Sequence, residues 1–237
     1  FGSEFAWTPI SVGAASLVSW MSADALSYLL GGMFWLHIIT QLTFLNFLPL
    51  GKHFHVITAL PNVFLKSLGY PHEKTKVLDL EDESVWEDES LGINHIHQLN
   101  WKQGLDLYTC TECGRCKEVC PTYTTDKPLS LHDLNDTLKL ELLDNADNLI
   151  KRSKLAASIK ADTDPEKVEE IKAQMAELNC KKTLIGEVIS EETLWACTNC
   201  RACEQVCPVT IEQVPRIIAL RQGQALMAGV YPQELNV

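Results

Sequence analysis

The chain reads as a mainly α-helical protein in two parts. One membrane-spanning helix comes first, and a small helical domain follows, built on two cysteine-rich loops with a helical insertion between them. Three observations lead there. Residues 25–50 contain no Asp, Glu, Lys or Arg. Eight of the nine cysteines fall in two short repeats, at 110–120 and 197–207. Between the repeats, apolar residues recur at helical spacing, as at Val168, Ile171, Met175 and Leu178.

The repeats carry the chemistry. Cys110-Thr-Glu-Cys113-Gly-Arg-Cys116-Lys-Glu-Val-Cys120-Pro121 returns as Cys197-Thr-Asn-Cys200-Arg-Ala-Cys203-Glu-Gln-Val-Cys207-Pro208. Each copy is C-x2-C-x2-C-x3-C-P, the run that bacterial ferredoxins use for a [4Fe–4S] cluster. Three closely spaced thiolates cap three irons of a cubane, and in two-cluster proteins the fourth cysteine ligates the other cluster. The expected ligands are therefore Cys110, Cys113, Cys116 and Cys207 for one cluster, and Cys197, Cys200, Cys203 and Cys120 for the second. Structural zinc favours two C-x2-C pairs set well apart. Disulfides favour small secreted domains. Neither matches this run. Cys180 is the cysteine left over and reads as a small buried apolar residue.

The net charge of −11 argues against a nucleic-acid partner, since no basic stripe is available to neutralise phosphates. The chain opens on Phe1, as expected of a segment of a longer or processed protein. Residues 1–20, broken by Pro9 and Gly13, suit a short interfacial helix or a periplasmic segment. Ala25–Leu50 is long and apolar enough to cross a bilayer. Glu4 and Asp24 precede it, whereas Lys52, Lys66, Lys74 and Lys76 follow, so its C-terminal end is expected on the cytoplasmic side of the inner membrane.

His37 and His55 are eighteen residues apart, five turns of one helix. On a continuous helix they share a face and stand roughly 27 Å apart, near the hydrocarbon thickness, and Pro49 and Gly51 are expected to bend the helix between them, as membrane helices tolerate. That spacing suits two b haems, each taking one axial histidine from this helix. Packing histidines at the same spacing also arise by chance. His53 lies nearly opposite on the helix and fits less well.

The remaining segments organise around these two parts. Val56–Tyr70 is amphipathic and suits a helix on the membrane surface, completing a membrane region over residues 1–70. Residues 71–98 read as an acidic linker, with seven acids between Leu78 and Ser90. His95 and His97 fall in it, and no metal role is assigned to them. The two-cluster domain occupies 99–237, with helices expected over Leu99–Tyr108, Ser130–Asp144, from Asp164-Pro165 onward, and over Ile211–Met227.

Gly51-Lys-His-Phe-His55-Val-Ile-Thr-Ala-Leu-Pro61, with His37 upstream, resembles the last haem-bearing helix of nitrate-reductase gamma-type cytochrome b subunits. The resemblance implies that His37 and His55 each ligate one haem b, completed by histidines outside this chain. The span Leu78–Gly229 resembles iron–sulfur reductases built like the catalytic subunit of heterodisulfide reductase. Tyr108-Thr-Cys110, Lys127-Pro128-Leu129-Ser130, Leu184-Ile-Gly-Glu-Val-Ile-Ser190 and Leu194-Trp195-Ala-Cys197 carry it. One branch of that family fuses a cytochrome b domain, a double-cluster domain and two C-C-G modules. The implied partners are a quinone such as menaquinone, further cytochrome b helices, C-C-G modules and a flavoprotein donor.

No nucleophile, acid–base pair or substrate pocket is legible. The expected role is membrane-anchored electron transfer between cytoplasmic [4Fe–4S] clusters and a haem b and quinone pool, as one part of an oxidoreductase complex. The alternative is the iron–sulfur subunit of a flavin dehydrogenase of the succinate dehydrogenase type. That reading calls for an additional C-x4-C-x2-C site ahead of the repeats, and the sequence has none.

Overall fold

The computed structural model describes residues 9–68, 81, 91–161 and 165–233. The chain divides into two compact units, Phe1–His53 and Phe54–Val237. Among the described residues both are helical, with a single isolated bridge, Ile185 to Ile189, and no strand.

In the first unit α1 (Pro9–Leu17) precedes α2 (Ala23–Phe47). Ser22 caps α2, its Oγ accepting from the Ala25 N–H at 3.3 Å. The 25 residues of α2 rise roughly 37 Å, more than the ~30 Å hydrocarbon layer. Not one of them is buried within the chain. A helix apolar on every side belongs in lipid or among other helices.

The helix does not continue to His55. It stops at Phe47, a 3₁₀ turn covers Leu48–Leu50, and Gly51 is extended (φ −126°, ψ −175°). Pro49 has no N–H to donate back along the helix. A second helix, α3 (His55–Phe64), starts afresh. The count of five unbroken turns between His37 and His55 therefore fails, because Pro49 and Gly51 end the helix between them rather than bend it.

In the second unit α3 packs on α4 (Trp101–Thr109). Asn62 and Thr58 are buried on α3, whereas Leu60 and Phe64 are exposed. Helix α3 is thus amphipathic, and it closes at Leu65, short of Tyr70. Residues 91–98, assigned to the linker by their sequence position, are folded into the domain. Leu91, Ile93 and Ile96 are buried, and the Ile93 N–H donates to the Ala219 carbonyl at 2.9 Å. Gly92 makes this docking possible, since a Cβ there would stand 2.0 Å from the backbone nitrogen of Gly223. The run from Asp82 to Ser90 lies outside the described residues.

After the first cysteine loop comes α5 (Arg115–Glu118), then α6 (Leu131–Asp144), N-capped by Ser130. Helices α7 (Ala146–Ala161) and α8 (Pro165–Glu177) pack on one another and form the insertion. Asp164, at the expected start of α8, lies outside the described residues. A turn at 184–188, with Gly186 at φ +99°, leads to α9 (Glu191–Trp195). Beyond the second loop lie α10 (Ala202–Gln205) and α11 (Gln213–Gln222). Leu107, Leu138, Leu184, Leu194, Ile217 and Leu220 form the centre of the core, each at most 1 % exposed.

Candidate iron–sulfur sites

The two loops repeat in backbone as well as in sequence. Glu112 and Gly114 take left-handed conformations (φ 53° and 77°), and so do Asn199 and Arg201 (φ 56° and 61°) at the same places in the second copy. Left-handed residues in such loops can turn neighbouring backbone N–H groups toward a concavity, which favours bound anions and iron–sulfur centres. Asn199 donates its N–H to the Cys197 Sγ at 3.4 Å. A short helix leaves each loop, α5 from the first and α10 from the second, and the two helices pack together.

The eight cysteines sort into two cavities. Cys110, Cys113, Cys116 and Cys207 line one of about 330 Å³. Cys120, Cys197, Cys200 and Cys203 line the other, of about 250 Å³. Each cavity thus takes three cysteines from one loop and the fourth from the other. Eight thiols in two concave sets of four, with the Asn199 and Ile211 N–H groups donating to cysteine sulfur, fit two cubanes. Among the described residues no three Cys, His, Asp or Glu side chains are gathered as a site for a single ion.

Residues 106–211 match the family described as a 4Fe-4S dicluster domain. The chain therefore carries a dicluster domain behind one helix of membrane-spanning length. It is 35 % identical over 235 residues to a probable iron–sulfur-binding oxidoreductase, FadF, of Bacillus subtilis, covering 93 % of this chain and 32 % of that protein. It is 31 % identical over 237 residues to the EtfAB:quinone oxidoreductase of Syntrophomonas wolfei, covering 99 % and 32 %. A probable membrane-anchored ferredoxin of Chromohalobacter salexigens is 29 % identical over 157 residues, 66 % of this chain and 22 % of that one. The chain thus spans about a third of the length of the first two. No solved structure matches it.

Within the dicluster domain, burial dominates the electrostatics of the thiols. It pushes Cys116 up to about 11, helped by the neighbouring Cys110, Cys113 and Cys207. Cys203 rises to about 12 through burial, with Glu204 and other thiols, Cys116 of the first set among them, adding to it. Thiols held this high give up their protons to a metal rather than to water at neutral pH, so metal binding releases protons. The packing of α5, which carries Cys116, on α10, which carries Cys203, brings the two sets together.

Several residues of this region carry no motif. Asn135 on α6 donates from Nδ2 to the Cys110 Sγ at 3.9 Å. Ile211 donates its N–H to the Cys207 Sγ at 3.4 Å. Arg221 donates to the carbonyls of Leu194, Trp195 and Cys197 and stacks on the Trp195 ring, which fixes the entry to the second loop. Arg216, from the same helix, is wholly buried. Arg216 and Asn135 meet only in the folded chain, so no local pattern announces them.

The histidines divide differently. His37 lies exposed on α2, and His55 is half-buried at the start of α3. His95 and His97 stack at 5.4 Å. The Cys180 N–H donates to His97 Nδ1, which makes the half-buried His97 an acceptor beside the core.

Proposed function

We propose that this chain is the membrane-anchored electron-transfer part of a larger, quinone-linked iron–sulfur oxidoreductase. The observation that carries this reading is the pair of adjacent four-cysteine cavities in a domain that follows a membrane-length helix. Cys110, Cys113, Cys116 and Cys207 hold one [4Fe–4S] cluster, and Cys197, Cys200, Cys203 and Cys120 hold the other. The bound clusters supply one-electron exchange. The chain's own residues keep the two sites adjacent, exclude water from Cys203 and Cys120, and donate N–H groups to cysteine sulfur, which tunes potential.

The electrons pass between a flavoprotein donor and a quinone such as menaquinone. The name of the Syntrophomonas relative, with EtfAB on one side and quinone on the other, supports that direction. His37, on a helix apolar all round, and His55 are the residues proposed for haem b, with partner histidines and C-C-G modules supplied from outside this chain. Lysines after α2 and acids before it favour a dicluster domain on the cytoplasmic side of the inner membrane. The exposed Leu60 and Phe64 face of α3 suits the lipid interface.

A combined optical and EPR redox titration of the membrane-bound full-length protein tests this. The expected result is two [4Fe–4S] signals and b-type haem bands, all reoxidised by a quinone after chemical reduction. Reduced clusters that quinone cannot oxidise would refute the quinone link, and missing haem bands would remove His37 and His55 as ligands.

A further inference from the structure

Arg216 is the largest fully buried side chain among the described residues (0 % exposed). A guanidinium cannot shed its charge in a protein, and withdrawing it from water costs several kcal/mol unless opposite charge and hydrogen bonds compensate. Its Nη2 donates to Asn135 Oδ1 and to Gln213 Oε1. Nε and Nη1 are equally inaccessible and have no hydrogen-bond partner among the described residues. The groups whose charge acts on it are Asp106, already held by Lys102 at 2.7 Å, and two thiols, Cys110 of the first set and Cys203 of the second.

The protein alone therefore leaves this cation under-compensated. The missing negative charge has an evident source, since the thiols facing Arg216 become thiolates once metal is bound. Asn135 adds a directional link. Arg216 is donor-only, so it must take the amide oxygen, and this turns Asn135 Nδ2 toward the Cys110 Sγ.

We infer that Arg216 is a positioning residue shared by both cluster sites: its fixed charge favours the reduced state of each centre, and its bond to Asn135 aims that amide at Cys110. A cluster with its thiolates is anionic, and one more electron makes it more so. A buried cation linked through Asn135 to the first set, and whose charge also reaches Cys203 of the second, stabilises that extra charge and raises both potentials. The inference rests on the cluster assignment proposed above. A packing pin would hold α11 to α6 with no effect on potential.

The test is an EPR-monitored redox titration of the full-length membrane-bound protein, after iron and acid-labile sulfide have been counted. Wild-type protein without two clusters' worth of iron would refute the cluster assignment itself. With clusters present, Arg216→Gln is expected to weaken the reduction equilibrium of both centres at least tenfold, about 59 mV for a one-electron couple. Arg216→Lys keeps the cation and should weaken both less than tenfold. Asn135→Leu should lower only the centre containing Cys110. Unmoved midpoints in a fully loaded Arg216→Gln protein overturn the inference. If Arg216→Gln fails to assemble clusters, Arg216→Lys decides: assembly supports the role of charge, and failure assigns the residue to shape alone.

Discussion

Asn62 on α3 donates through Nδ2 to Oδ1 of Asp106 on α4 at 3.0 Å, with both side chains buried. The same Nδ2 reaches the Val209 carbonyl at 2.9 Å, and Lys102 Nζ donates to Asn62 Oδ1 at 2.9 Å. One amide thus joins α3, α4 and the segment just after Cys207. Its removal leaves buried polar groups without partners.

Asn62→Ala is expected to destabilise the dicluster domain by about 2 kcal/mol, the penalty of unsatisfied buried groups. Hydrogen exchange should show faster exchange in α3 than in α11. Unchanged protection of α3 would mean that its apolar contacts alone hold it.

Gly92→Ala should be more damaging. The added Cβ meets backbone, 2.0 Å from Gly223 N and 2.7 Å from the Ala219 carbonyl, and no flexible side chain is there to yield. We expect a loss of about 3 kcal/mol, the upper end for overpacking, with the Ile93–Ala219 hydrogen bond broken. Gly114→Ala, with open space around the new methyl, should cost only the ~1–2 kcal/mol of a left-handed residue. Equal melting temperatures for the two variants would contradict this ordering.

These contacts join residues far apart in the chain, and no local pattern encodes them. The two cysteine runs were legible because their spacing is itself the chemistry, and the span of α6 because its residues favour a helix locally. Pro49 and Gly51 announced a disturbance, but whether a helix bends or ends there depends on what packs around it. Helix α7 was not anticipated, since Asn148, Lys151 and Ser153 blur its apolar period. Residues 91–98 adjoin an acidic run, and nothing local in Leu91-Gly92-Ile93 says that they dock against Ala219 and Gly223.

Cys207→Ser and Cys120→Ser should act across the repeats. Cys207→Ser is expected to perturb the centre of Cys110, Cys113 and Cys116, and Cys120→Ser the centre of Cys197, Cys200 and Cys203. Site-resolved Mössbauer spectra distinguish them. Perturbation of each variant's own loop would replace crossed ligation with uncrossed.

The His97 environment predicts an acid limb in stability. Burial, with the charges of Arg152 and His95 adding, pulls His97 from 6.5 down to about 4. Between those values the unfolded chain holds the proton and the folded one does not, so stability falls as pH drops from about 6.5 toward 4 and is full above that window. His97→Gln, which keeps an acceptor for the Cys180 N–H, should flatten this limb relative to wild type. Parallel denaturation midpoints from pH 7 to pH 4.5 would remove His97 as its source.

Because each cavity borrows its fourth cysteine from the other loop, the order of synthesis matters. When Cys110, Cys113, Cys116 and Cys120 leave the ribosome, the chain still lacks Cys207, about ninety residues further on. Until then the first cavity has three of its walls, and the second has only Cys120. Before Cys207 has emerged the cradle is incomplete, so completion of both cavities waits for the second loop, well after α2 has been made.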